Sequence, residues 1–101
     1  MAQPWFMEIL EQHDPEFARL VAENREVVMK DGAIPARYKV LMTMLSDAIL
    51  GHADGVQSIA RRARAMGASE QEICETVRVA YDCGGMPALI TALAAFRQSS
   101  S

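Results

Sequence analysis

Cysteine is scarce in this chain of 101 residues, which contains only Cys74 and Cys83. Two cysteines are too few for the disulfide framework that stabilises many small secreted domains. They are nine residues apart, and nine steps of about 100° would place them on opposite sides of a helix that held both. We therefore expect two reduced, partly buried thiols in a cytoplasmic protein.

Long apolar runs and an excess of basic residues are also missing. No apolar run reaches the ~20 residues of a membrane span, and residues 1–8 lack the basic and apolar regions of a signal peptide. Ten Lys and Arg residues against 13 Asp and Glu residues give a net charge of −3, which argues against a nucleic-acid-binding protein. The length predicts a single domain over residues 1–101. From the charge and the short apolar runs we expect neither a nucleic-acid nor a membrane partner.

Strand signals are lacking as well, and helix signals replace them. No stretch alternates cleanly between apolar and polar residues, and helical patterns flank the Asp-Gly dipeptide at 31–32. Asp14 before Pro15 forms a helix start, Ser69 and Glu72 form a capping box, and the glycine pair at 84–85 predicts a break. The sequence therefore predicts an all-α bundle of about six helices. Their expected ranges are 4–12, 15–30, 34–50, 53–66, 69–83 and 86–97, followed by a frayed tail over 98–101.

The third predicted helix has an apolar stripe that we expect to be buried. It comprises Tyr38, Leu41, Met42, Leu45 and Ile49.

The last predicted helix is apolar on nearly every side. Its large residues form one stripe: Met86, Leu89, Ile90, Leu93 and Phe96. Its small residues form another: Ala88, Ala92 and Ala95. A helix of this kind is buried on more than one side, so we expect a homo-oligomer in which a second subunit covers part of it. The alternative is that the second, third and fifth helices cover it within one chain.

Residues 31–96 resemble the carboxymuconolactone decarboxylase family, which includes the alkylhydroperoxidase D-like (AhpD-like) proteins. The resemblance lies in the order and spacing of four segments rather than in any one of them. They are the turn and helix start at 31–42, the helix end at 45–51, Ala63-Arg64-Ala65-Met66-Gly67-Ala68-Ser69-Glu70-Gln71-Glu72-Ile73, and the glycine and proline turn at 81–89. The resemblance implies an AhpD-like helical bundle that assembles into trimers, hexamers or related rings.

The peroxidase branch of that family carries a Cys-x-x-Cys pair, which this sequence lacks. In that branch the second Cys attacks, the first resolves, and a His and a Glu relay protons. With the sequences registered on Gly67, the two Cys positions fall on His52 and Gly55, the His position on Ile59 and the Glu position on Val40. The resemblance therefore implies a family member without the disulfide peroxidase cycle.

His52 is the candidate catalytic residue. It lies in a short break between two predicted helices, and imidazole suits proton transfer near neutral pH. Asp47 and Asp54 are both near enough in sequence to orient its ring. The alternative is that His52 only caps the preceding helix, where the helix dipole favours a cation.

Other candidate groups are weaker. No ligand spacing predicts a metal, and we expect no cofactor. The arginines at 61, 62 and 64 could hold an anionic substrate, although salt bridges to Glu70 or Glu72 are the alternative. Cys83 has no adjacent base or cation to activate it and is expected to fill space near the glycine pair.

Three functions follow from these residues. The first is a decarboxylase-like enzyme that acts on a small carboxylated molecule, with His52 as the acid and an arginine of the fourth helix holding the carboxylate. The second is a non-catalytic binding or interaction protein on the same scaffold. The third is a thiol peroxidase that uses Cys83 or Cys74.

Overall fold

The computed structural model describes residues 4–98, which form two compact units divided after Asp31. No strand occurs within these residues. Residues 4–98 form five α-helices and a terminal 3₁₀ helix, an all-α architecture as the sequence predicts, although it predicted about six helices. The residues expected to fray, 98–101, fall outside the description except for Gln98, which is exposed and outside any helix.

The first unit is a pair of helices, α1 (Trp5–His13) and α2 (Pro15–Met29). Asp14 joins them: its carboxylate accepts a hydrogen bond from the Phe17 backbone N–H at 3.1 Å, and Pro15 occupies the first helical position. This is the predicted helix start, in which a short acceptor side chain satisfies a backbone donor that the helix leaves unpaired. Met7 and Ala18 are the buried apolar residues of this pair.

The second unit contains α3 (Ala36–Ile49), α4 (Ala53–Ala65), α5 (Glu70–Ala92) and the 3₁₀ helix Leu93–Phe96. Helix α3 packs against both α4 and α5, and the 3₁₀ helix packs against α4. The largest fully buried side chains are Val40, Met44, Val56 and Ile73. Alanines fill much of the rest of this core, which lets the helices approach closely.

The capping box predicted at the start of α5 is present. The Ser69 hydroxyl accepts from the Glu72 backbone N–H at 3.0 Å, and the Glu72 carboxylate accepts from the Ser69 N–H at 2.9 Å. Further along, Gly85 has φ 76° and ψ −164°, a conformation that only glycine adopts readily. Gly85 therefore interrupts the helix at the predicted break. The two helical segments on either side of it are counted together as α5, which is why five α-helices are described where six were predicted.

The buried stripe predicted for α3 was largely wrong. The structure buries Leu41, as predicted, and leaves Leu45 half-buried, but it exposes Tyr38, Met42 and Ile49. The other buried residues are Val40, Met44 and Ala48. Because α3 is apolar over more than one side, periodicity alone does not show which side is buried. The side that packs against α4 and α5 is the one with Val40, Met44 and Ala48.

The last turns of α5 and the 3₁₀ helix bury their small residues and expose most of their large ones. Ala88, Ala92 and Ala95 are buried, whereas Met86, Ile90, Leu93 and Phe96 are exposed in the single chain. We call Met86, Ile90 and Leu93, which share one side of the chain here, the α5 apolar face. Within the second unit, the side that the sequence predicted to need covering is therefore uncovered.

By length and composition alone, residues 70–96 are also long and apolar enough to cross a membrane, with 28% of the apolar window buried. The same residues include the Ser69–Glu72 capping box and the interruption at Gly85, and α5 packs against α3.

Candidate functional site

The junction between α3 and α4 places His52 at the start of a helix. Helix α3 ends at Ile49, and Gly51 adopts φ 81°, the left-handed conformation that commonly terminates helices. The backbone N–H of His52 then donates to the Asp47 carbonyl at 2.8 Å. His52 becomes the N-cap residue of α4, but its side chain makes no capping hydrogen bond.

Asp47 and His52 form a side-chain pair across this junction. Asp47 Oδ1 lies 3.4 Å from His52 Nδ1, with side-chain exposures of 23% for Asp47 and 61% for His52. Of the two aspartates that the sequence offered, Asp47 is the one that pairs with His52, and the carboxylate of Asp54 lies 3.7 Å from Arg97 Nη1. Since Nδ1 faces the carboxylate, Nε2 on the other side of the ring is the atom that can meet a ligand.

Gly55, in the first turn of α4, lies directly beside this pair. A Cβ built on Gly55 would stand 2.5 Å from Asp47 Oδ2 and 3.0 Å from Asp47 Cγ, and 3.5 Å from His52 Cβ. The Asp47 carboxylate thus occupies the space that any side chain at position 55 would need. Sequence reasoning assigned no role to Gly55, although a glycine in the first turn of a helix is a recognisable signal.

Of the arginines at 61, 62 and 64, Arg64 forms the salt bridge to Glu70 that the alternative interpretation expected. Arg64 donates to both oxygens of Glu70, at 2.6 Å from Nε and 3.0 Å from Nη2. This bidentate contact lowers the pKa of Glu70 below its ordinary value and raises the pKa of Arg64. Arg61 and Arg62 follow His52 by nine and ten residues, which is about 14 Å along the helix axis. The geometry therefore separates the arginines of α4 from the His52 ring.

Both cysteines lie on α5, and both are free and exposed. The expectation that they would be partly buried was wrong, because other residues line the α5 side that the chain covers: Ile73, Val77, Ala80, Ala88 and Ala92. At the positions where the family register places the peroxidase groups, His52 caps α4, Gly55 and Ile59 lie on α4, and Val40 is buried on α3. Among residues 4–98, no group of three or more His, Cys, Asp or Glu side chains is arranged to hold a metal ion.

Comparison with known proteins identifies the family. Residues 15–98 match the model of the Carboxymuconolactone decarboxylase family, so the chain belongs to that family. This confirms the resemblance predicted for residues 31–96 and extends it into α2.

Individual relatives agree with this assignment. The chain is 28% identical to the uncharacterized protein MJ1511 of Methanocaldococcus jannaschii over 89 residues, which cover 88% of this chain and 83% of that protein. A second comparison is with the crystal structure of apo-lpg0406, a carboxymuconolactone decarboxylase family protein from Legionella pneumophila. It has a TM-score of 0.82 at 22% identity and covers 88% of this chain and 80% of that one, which shows the shared fold.

A third comparison is with the crystal structure of a provisionally assigned carboxymuconolactone decarboxylase from Burkholderia xenovorans LB400. The TM-score is 0.82 at 25% identity, covering 91% of this chain and 75% of that one. The predicted AhpD-like all-α fold is therefore confirmed.

Proposed function

We propose that this family member is a decarboxylase-like enzyme that acts on a small carboxylated molecule by acid–base chemistry at His52. The observation that supports this proposal is the Asp47–His52 pair at the junction between α3 and α4, in which Asp47 Oδ1 and His52 Nδ1 are 3.4 Å apart. A carboxylate on one ring nitrogen fixes the orientation of the imidazole and leaves the other nitrogen to exchange a proton with a substrate.

The chemistry requires an acid that can return a proton. When a carboxylate leaves as CO₂, the electron pair of the broken C–C bond stays on carbon and is delocalised as an enolate if a carbonyl is adjacent. An imidazolium at His52 would donate its Nε2 proton to that carbon and become the neutral ring with the proton on Nδ1. Asp47 stabilises both states, because its negative charge attracts the imidazolium and its carboxylate accepts a hydrogen bond from Nδ1–H of the neutral ring.

The group that would hold the substrate carboxylate is not an α4 arginine of the same chain. Arg64 is engaged with Glu70, and Arg61 and Arg62 lie about 14 Å along the axis from His52. We propose that the enzyme is a homo-oligomer, a trimer or hexamer, in which the α5 apolar face is covered by a second copy. A neighbouring copy could then also complete the surroundings of the exposed His52 ring. A cytoplasmic location stays a prediction.

A non-catalytic binding protein is the second candidate, and one observation favours it. The His52 side chain is 61% exposed in the single chain, whereas an acid–base catalyst usually works in a site from which water is excluded. This candidate differs from the first in its consequences: a binding protein would take up a carboxylated ligand without releasing CO₂.

The positions of the two cysteine side chains on α5 argue against thiol peroxidase activity. Cys74 and Cys83 are both on α5, nine residues apart, so their side chains leave the helix on opposite sides. A disulfide cycle within one chain requires two sulfurs that can meet.

The test is CO₂ release from a panel of small carboxylated lactones, carboxymuconolactone among them. We expect turnover by the wild type and a loss of roughly 10²–10⁴-fold in His52→Gln, the usual contribution of a positioned acid–base group. Asp54→Asn is the matched control, because Asp54 is near in sequence but pairs with Arg97 instead of His52. Undiminished turnover in His52→Gln would remove the residue assignment, and binding without CO₂ release would favour the second candidate.

A further inference from the structure

Gly55 is placed where helix propensity argues against glycine. It lies within α4 (Ala53–Ala65), at a position without positive φ, so its backbone conformation is one that alanine adopts readily. Alanine is the better helix former at such a position. A requirement other than backbone conformation therefore accounts for a glycine here.

The space around Gly55 shows what that requirement is. The nearest atoms to a Cβ at this position are Asp47 Oδ2 at 2.5 Å and Asp47 Cγ at 3.0 Å, followed by His52 Cβ at 3.5 Å. All three belong to the Asp47–His52 pair. Even one methyl group would displace the Asp47 carboxylate, because Cβ atoms do not approach oxygen to within 3 Å.

We propose that Gly55 is a positioning residue, whose missing side chain lets the Asp47 carboxylate lie against the first turn of α4 and reach His52 Nδ1. The structural part of this inference rests on the geometry of the three residues, and its consequence for catalysis rests on the proposed function. Glycine at this position is thus part of the acid–base site even though it carries no reactive group.

The consequence for the ring is a choice of tautomer. A carboxylate accepting from Nδ1–H favours the neutral ring that carries its proton on Nδ1, which leaves Nε2 as the base. If the carboxylate is pushed away, this preference is lost and the proton moves toward Nε2. Gly55→Ala should therefore alter the His52 ring without touching it directly.

The experiment measures this tautomer by proton–nitrogen NMR correlation of the histidine side chains at alkaline pH. We expect the Nδ1–H form to dominate at His52 in the wild type and its share to fall in Gly55→Ala. Ser58→Ala is the matched control, because Ser58 is an exposed position on the same helix. His13, the other histidine of the chain, serves as an internal reference whose tautomer should not change.

A second measurement, which does not depend on the spectra, is the thermal stability of the variants. Thermal unfolding is compared for Gly55→Ala in the wild type and in Asp47→Ala. We expect alanine at position 55 to raise Tm in the Asp47→Ala background, where its helix propensity acts alone, and to raise it less or lower it in the wild type. An equal rise in both backgrounds, or an unchanged His52 tautomer in Gly55→Ala, would overturn the proposal.

The outcome is separable from that of the proposed function. If the tautomer and Tm respond as expected but no carboxylated lactone releases CO₂, the decarboxylase proposal fails and the positioning role of Gly55 remains. If CO₂ release depends on His52 but Gly55→Ala leaves both the ring and the turnover unchanged, the positioning role fails alone.

Discussion

Replacing Ile90 should weaken self-association of the chain, and it should affect the folding stability of the single chain less. Ile90 is 64% exposed, between Met86 at 55% and Leu93 at 49%, so the three together form the uncovered α5 apolar face. Full burial of such a side chain is worth about 1.5–3 kcal/mol. With roughly two-thirds of Ile90 still available for burial, Ile90→Ala should lose about 1–2 kcal/mol of association free energy per buried copy. That corresponds to about a 5–30-fold weaker association per copy.

Ile90→Lys should have a larger effect, because an interface would also have to desolvate an unpaired ammonium group. Sedimentation velocity over a dilution series measures the association directly, and far-UV circular dichroism checks that each variant stays helical. Arg78→Ala, at an exposed position of the same helix, is the matched control and should assemble like the wild type. A wild type that is monomeric at every concentration, or an Ile90→Lys variant that assembles normally, would show that the α5 apolar face is not an interface between copies.

Three further predictions concern stability. Ser69→Ala should remove one half of the α5 capping box and lower the unfolding free energy by about 1 kcal/mol, or Tm by roughly 4–8 °C, in calorimetry. The pKa of Glu70 is held below its ordinary 4.5 by Arg64, so the ion pair stabilises the fold above that pH and loses its effect as pH falls through the lowered value. The stability difference between wild type and Glu70→Gln should accordingly shrink on acidification below pH 4.5, and a difference independent of pH would contradict this assignment. Gly85→Ala should destabilise by about 1–3 kcal/mol because Gly85 has φ 76° and ψ −164°, whereas Gly32→Ala, with open space around it, should have little effect in the same denaturant titration.

The sequence predicted the helices well because their ends carry explicit chemistry. Asp14 before Pro15 and the Ser69–Glu72 capping box use side chains that pair with particular backbone donors, and both occur as expected. The break was located correctly at Gly85, but how the two helical segments are arranged around it depends on packing that local signals do not contain. The buried side of α3 was mistaken for the same reason. A helix apolar on several sides offers several stripes, and its neighbours decide which one is buried.

The candidate site was predictable in its residue types but not in its geometry. His52 stood out as a histidine in a helix junction, and Asp47 and Asp54 were equivalent partners from sequence distance alone. The reversal of the chain at Gly51 brings Asp47 toward the ring, whereas the Asp54 carboxylate lies near Arg97. Gly55 was missed because its contribution is the absence of atoms, which becomes visible only when the Asp47 carboxylate is seen to fill that space.

The most direct test of the central claim compares two reactions in the same preparations. Wild type, His52→Gln and the double variant Cys74→Ser/Cys83→Ser are each given carboxymuconolactone and, separately, an alkyl hydroperoxide with a dithiol reductant, and substrate loss is followed. We expect the wild type and the double cysteine variant to consume the lactone and His52→Gln not to consume it. None of the three should consume the peroxide faster than the reductant alone. Peroxide consumption that disappears with the cysteines while the lactone stays intact would contradict both expectations.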